Sequence, residues 1–429
     1  MPDLPRVDGE PEMLSAAEAA RRLGVRRETL YAYVSRGLLQ SIGRDDGGRN
    51  RGYLRAEVEA LLEKKEWRRQ PTKALEGALH WGAPVLESSL TLIEGGRLFY
   101  RGRDARRLCR SRTLEEIAGW LWLGDFERAP ELFAGTPPSS PASGLALGRT
   151  LFRRPWSLES LQAALPVFGA EDPAAWAIDR PEDVAQAGAR LIQRMVRLAA
   201  SDAWSGGLAR SLLDGWGGAG AEGTADKGVA PEDARRLLDA AMILCADHEL
   251  NVSAFTARCV ASAGSPIASV VAAGLGALQG PEHGGHSRRL GALLREAGRP
   301  EDLYDAVTDR LRRGDPVPGY GQPLYPDGDP RYLELSGWLR RMPRAAGDVV
   351  AWADALEEAG RSLLGKHPTL DAGLVLSARA LELPRDTALC LFALGRTVGW
   401  IGHALEQYAA GRLIRPRARY TGESPEVDG

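Results

Sequence analysis

From Trp81 to about Gly422, apolar residues recur at helical spacing with almost no interruption, and that periodicity confines most of the chain to a mostly α fold. Strand signals are few. One lies near Leu86–Arg101, where polar and apolar residues alternate on either side of Gly95-Gly96, the pattern of two strands joined by a tight turn. There is no Walker loop and no strand–GxGxxG–helix unit. Two stretches break the helical pattern: Gly135–Gly144, rich in Pro and Ser, and Gly215–Gly228, rich in Gly. Both read as surface loops. Ser265–Gln279 is nearly uncharged, but it is too short and too rich in Gly and Ala to span a membrane, and it reads as a tightly packed helix.

With 429 residues, about two or three domains are expected. Residues 1–12 read as a disordered tail, and Met1–Met13 is acidic and Pro-containing, unlike a secretory signal. The cysteines (Cys109, Cys245, Cys259, Cys390) have neither metal nor disulfide spacing, which fits reduced residues in a cytoplasmic protein. Met13–Lys73 holds fourteen Lys/Arg against eight Asp/Glu, a net of +6, while the remainder of the chain is net −8. A small basic module is joined to an acidic body, a pattern that fits attachment to nucleic acid.

Within that module, Ser15-Ala16-Ala17-Glu18 is a capping box opening a short helix to about Leu23. Gly24 makes a turn. A second helix runs from about Arg26 to Ser35, with Leu30, Tyr31 and Val34 at core spacing, and stops at Gly37. Residues 40–53 fit a β-hairpin wing, and Arg55–Glu66 a further helix. Helix, Gly turn, helix and basic wing together resemble the winged helix-turn-helix of MerR- and excisionase-like proteins. The module then spans 13–66, with a linker at 67–80. Its second helix would present Arg26, Arg27, Thr29, Tyr33 and Arg36 to a major groove, while Arg49 and Arg51 on the wing meet phosphates. A docking or dimerisation module is the alternative.

The body carries a series of polar motifs. They are Ala246-Asp247-His248-Glu249-Leu250-Asn251-Val252-Ser253, then Gly280-Pro281-Glu282-His283-Gly284-Gly285-His286, then Gly319-Tyr320-Gly321-Gln322-Pro323-Leu324-Tyr325-Pro326-Asp327-Gly328-Asp329-Pro330-Arg331. His367-Pro368-Thr369-Leu370-Asp371, Phe392-Ala393-Leu394-Gly395-Arg396 and Ile414-Arg415-Pro416-Arg417 follow. In this order and spacing, residues 81–422 resemble the citrate synthase and 2-methylcitrate synthase family. The resemblance implies large and small helical domains, the smaller at about 285–385, in a homodimer that closes over its site. No metal or prosthetic group is implied, and CoA is a substrate.

Joining acetyl-CoA or propionyl-CoA to oxaloacetate or another 2-keto acid requires a carbon nucleophile. A base must remove the thioester α-proton while a donor stabilises the enol oxygen. By resemblance Asp371 is the base and His283 the donor. His248, Arg331, Arg396 and Arg415 match carboxylate-binding positions, Arg415 coming from the other subunit, and Phe392 matches an aromatic at the substrate. Val317, Pro318, Gly319, Tyr320 and Gly321 match the loop whose backbone receives the CoA adenine. The family has a histidine where this chain has Gln322, and a glutamine amide donates a hydrogen bond but cannot deliver a proton at neutral pH. His286 is a candidate substitute acid. Ala372, where an aromatic is common, implies a wider pocket. Glu282 and Ser287 also depart from the commoner residues. His80, His367 and His403 read as surface or structural. Two functions are therefore expected: a condensing enzyme altered by Gln322, or a DNA-binding regulator that senses a CoA ester or dicarboxylate.

Overall fold

The computed structural model describes residues 13–35, 39, 41–43, 51–55, 58, 86–134, 156–218, 221, 229–342, 348–418 and 420–423. They belong to two compact units, Met1–Glu87 and Ser88–Gly429.

In the first unit, Ser15 Oγ accepts from the Glu18 amide and the Ser15 amide donates to Glu18 Oε2 at 2.8 Å, the reciprocal cap that starts α1 (Ala16–Arg22). Helix α2 (Arg27–Ser35) follows the turn at Gly24. Strands β1 (Met13–Ser15), β2 (Ile42–Gly43) and β3 (Arg51–Leu54) form an antiparallel sheet in the order β1-β3-β2, so the expected wing exists and gains a third strand. Ala19, Ala20, Leu23, Leu30, Leu39, Tyr53 and Val58 form the core. One expectation is corrected here. Tyr31 is 52% exposed, whereas Tyr33 packs against the core. Leu30, Tyr33 and Val34 share a helix face at i, i+3 and i+4, and residue 31 stands about 100° round the axis. Arg26 and Arg27 are exposed and Thr29 is half-buried. Arg36, Arg49 and the Arg51 side chain lie outside the described residues. So do the 1–12 tail, most of the 55–66 helix, the 67–80 linker, the 135–144 loop and residues 424–429.

The second unit opens with a hairpin, β4 (Thr91–Glu94) and β5 (Arg97–Tyr100), turned by Gly95-Gly96, and a short β6 (Arg103–Asp104) extends it. Helices follow: α3 (Ala105–Ser111), α4 (Leu114–Leu123), α5 (Ala129–Leu132), α6 (Leu158–Ala170), α7 (Pro181–Ala199), α8 (Leu208–Trp216), α9 (Pro231–Cys245) and α10 (Val252–Ala261). Then come α11 (Ile267–Leu278), α12 (Gly285–Ala297), α13 (Leu303–Arg313), α14 (Pro330–Arg341), α15 (Val349–Ala359), α16 (Leu370–Ala380) and α17 (Thr387–Ala410). Helices α12–α16 pack on one another along the stretch read as the smaller subdomain. The Gly-rich stretch begins later than expected. Gly215 and Trp216 close α8, where Gly215 lies against Ala200 and Trp216 Nε1 donates to the Ala199 carbonyl at 2.9 Å.

Helix α17 organises the body. It is long and apolar enough to cross a membrane, yet that apolar window is wholly buried in protein. It packs on α4, α6, α7, α9, α10, α11, α12 and α16. Leu389, Leu391, Leu394, Val398 and Ile401 are buried along it, each contributing about 1.5–3 kcal/mol. The Gly/Ala-rich segment is the packed helix α11. A Cβ at Gly274 would stand 2.6 Å from the Trp400 ring, so only glycine lets the two helices approach this closely. Phe392, Arg396, Trp400 and His403 follow one another at helical spacing along α17, and all four are buried.

Candidate active site

The first wall is the turn between α9 and α10. Glu249 adopts φ 52°, and its Oε1 accepts from the Ile93 amide at 3.1 Å, which ties the hairpin to this turn. Asn251 caps α10 by accepting from Ser253 N and Ala254 N. Asp247 turns inward, and its Oδ1 lies 3.1 Å from Nε2 of His403, both side chains fully buried. His248 Nε2 is 3.1 Å from the Tyr325 hydroxyl, with the rings edge to face at 5.6 Å. Burial, then the charges of Arg331 and Arg396, hold the His248 imidazole well below its usual pKa. It is therefore neutral at pH 7, and a bound carboxylate would favour its charged form.

His283 comes from the turn before α12. Its ring stands edge to face on Phe392 at 6.1 Å. Burial, with Arg396 and His286, lowers its pKa to about 4, so it acts as a neutral donor. The Ser253 hydroxyl lies 2.9 Å from His283 Nε2, donates to Asn251 Oδ1 at 2.8 Å and accepts from Trp400 Nε1 at 3.2 Å. Asn251 Oδ1 also takes two backbone amides, so the carbonyl end of this side chain anchors the hydroxyl that meets His283.

Asp371 lies in the first turn of α16, whose N-cap is Thr369. Burial pushes its carboxyl pKa up, against the Ser287 hydroxyl bonded to Oδ1 and the charges of His286 and Arg331. The loop ahead of it forms a short ladder with residues 319–321. Gly319 O accepts from Thr369 N and Gly321 N donates to His367 O, both at 2.9 Å, around a Tyr320–Pro368 bridge. Gly319 and Gly321 take φ of 89° and 77°, and a Cβ on Gly319 would stand 2.8 Å from Leu290 Cδ2. The loop carrying Val317, Pro318, Gly319, Tyr320 and Gly321 is thus joined directly to the segment that holds Asp371.

Two buried guanidinium groups face this region, and they differ. Arg331 is paired with Asp329 at 2.9 Å (Nε) and 2.8 Å (Nη2). Asp329 also caps α14 through Arg331 N and accepts from Leu370 N at 2.9 Å, so one carboxylate fixes both Arg331 and the start of the Asp371 helix. Arg396 is 1% exposed, donates from Nε to the Cys245 carbonyl at 2.6 Å and lies 4.9 Å over the Phe392 ring. Among the described residues no carboxylate pairs with it. An unpaired buried guanidinium suits an anionic ligand.

Gln322 is half-buried, and its Oε1 accepts a long 3.4 Å bond from Leu324 N, which leaves the amide N–H as its free end. Arg415 is exposed in the C-terminal segment and touches none of these groups. His286 is half-buried beside Arg289, whose Nη2 is 3.5 Å from both ring nitrogens. Ala372 is fully buried, so no wider space opens at its side chain. His367 is exposed, His403 is the buried partner of Asp247, and His80 lies outside the described residues. Among the described residues no His/Cys/Asp/Glu group fits a metal ion. Sequence reading missed Ser253, Trp400 and Tyr325 as site residues. It also passed over Asp329, although an acid directly before Pro330 is an N-cap signal.

The family description "Citrate synthase, C-terminal domain" matches residues 78–417, and "Helix-turn-helix domain" matches residues 13–66. The chain is 31% identical over 379 residues to the citrate synthase of Haloferax volcanii, across 82% of this chain and 96% of that one. It is 28% identical over 354 residues to 2-methylcitrate synthase 2 of Corynebacterium glutamicum, across 78% and 91%. The crystal structure of citrate synthase from Thermotoga maritima matches with TM-score 0.65 at 25% identity, across 80% of this chain and 95% of that one. The ternary complex of carboxymethyl coenzyme A and oxaloacetate with citrate synthase from Thermoplasma acidophilum shares the fold, with TM-score 0.68 at 24% identity across 80% and 96%.

Proposed function

The chain belongs to the citrate synthase family, and on that premise we propose that its body condenses acetyl-CoA or propionyl-CoA with oxaloacetate or a related 2-keto acid. No cofactor is needed beyond the acyl-CoA substrate. The observation that supports the reading is Asp371, a half-buried carboxyl whose pKa desolvation raises, in a site that also brings neutral His283, paired Arg331 and buried Arg396. Asp371 takes the α-proton while a ring N–H of His283 donates to the thioester oxygen. The enol carbon then attacks the ketone carbon, whose π electrons move to oxygen. Gln322 N–H stabilises that oxygen, and a water supplies its proton. Hydrolysis of the new thioester releases CoA.

Arg396, Arg331 and His248 hold the keto acid carboxylates. Arg415, exposed on a single chain, fits a role in the other subunit of a homodimer. The test is CoA release from acetyl-CoA or propionyl-CoA with a panel of 2-keto acids. No release with any pair would end the enzyme reading.

A second reading rests on the helix-turn-helix match and on Gln322: a regulator whose body binds a CoA ester or dicarboxylate and whose N-terminal module binds DNA. Failure to retain DNA at low salt, with or without ligand, would remove it.

A further inference from the structure

The loop assigned to acyl-CoA has no positive charge of its own. From Pro316 to Gly328 it contains neither Lys nor Arg, and Asp327 is acidic. Coenzyme A carries a diphosphate and a 3′-phosphate, so a loop that meets the adenine through backbone leaves several negative charges to be matched. The arginines nearest in sequence are engaged. Arg312 pairs with Asp309, Arg313 with Asp315 and Glu296, and Arg361 with Glu358.

Lys366 is different. Only five of the 55 basic residues are lysines, and Lys366 is the one beyond Lys227. It sits on the segment laddered to the loop, directly before His367, whose carbonyl takes the Gly321 amide. Its stem crosses Gly321: a Cβ there would stand 2.9 Å from Lys366 Cδ and 3.5 Å from Cε. The side chain is exposed, and among the described residues no carboxylate pairs with it. The missing side chain at Gly321 thus makes room for a flexible stem that places a point charge beside the CoA loop.

We propose that Lys366 is the phosphate-binding cation of the acyl-CoA subsite, an assignment that rests on the reading of the body as an acyl-CoA enzyme. The test is calorimetric binding of CoA, 3′-dephospho-CoA and pantetheine to the full chain and to Lys366→Met and Lys366→Arg. Lys366→Met keeps the stem and removes the charge. It is expected to weaken CoA about tenfold or more and to flatten the salt dependence of CoA binding, with pantetheine unaffected. Lys366→Arg should recover most of the loss. If Lys366→Met does not weaken 3′-dephospho-CoA further, the contact is to the 3′-phosphate; if it does, the contact is to the diphosphate. Equal weakening of pantetheine, or CoA binding unchanged in Lys366→Met, would overturn the assignment alone. Absence of CoA binding by the unaltered chain would overturn the acyl-CoA reading with it.

Discussion

The Ser287 hydroxyl donates to Oδ1 of Asp371, so the proposed base is held by the helix that follows His283. That bond lowers a carboxyl pKa which burial raises. Removing it in Ser287→Ala should raise the pKa further. The base form exists above the pKa and is lost below it, so the acid limb of kcat/KM should move to higher pH. A pH profile of CoA release from both proteins measures this. An unmoved limb, or one moved to lower pH, would remove Asp371 from the role of base.

Gln322→His restores a group able to deliver a proton to the ketone oxygen. A positioned acid is worth about 10²–10⁴ in rate, and kcat should rise toward that range with little change in KM for acyl-CoA. Steady-state CoA release provides the measurement. Equal or lower kcat in the variant would mean that the site is built around the amide, and that water or another group already supplies the proton.

Asp247 and His403 form a fully buried pair beneath His248. Replacing His403 by Leu leaves a carboxylate without its partner and should cost about 3–5 kcal/mol. Asp247→Asn/His403→Leu removes the carboxylate together with its partner and should recover part of that loss. His403 and Arg396 hold the Asp247 carboxyl below its usual range, against the cost of burial. Its contribution is therefore fully present above the unfolded value near 3.8 and lost as pH falls through the folded one. Urea unfolding at pH 7 and at acid pH tests both statements. A His403→Leu cost equal to that of an exposed site would refute the first.

If the N-terminal module binds DNA, affinity should fall steeply with salt. Arg26→Ala and Arg27→Ala should each reduce the slope of log K against log salt by about 1 when the residue meets a phosphate. Tyr31→Ala is expected to weaken binding more cleanly than Tyr33→Ala, because Tyr33 also supports the core. Equal slopes in all variants would place the contact elsewhere.

The mostly α body was legible in the sequence because its helices are long and periodic, and the hairpin because Gly95-Gly96 interrupts a clean alternation. The site was legible as an ordered series of motifs. Its support was not. Ser253 meets His283, Tyr325 meets His248 and Trp400 holds the Ser253 hydroxyl, each from a separate stretch of the chain, and no local spacing encodes such contacts. Tyr31 and Tyr33 changed places because both are apolar enough for a core, and only the exact helical phase separates them. Gly215 was read as loop because a glycine needed for close packing looks, in sequence, like one needed for a turn.

Helix α17 has one further consequence. The residues proposed to hold the substrate, Phe392 and Arg396, and those that support the site, Trp400 and His403, lie on the same buried rod that binds eight other helices together. Chemistry and architecture are inseparable there. A change that retunes the ligand preference of Arg396 or Phe392 also perturbs the keystone of the body. New specificities should therefore arise more readily from the exposed loops at the rim than from this helix, whose sequence answers to two demands at once.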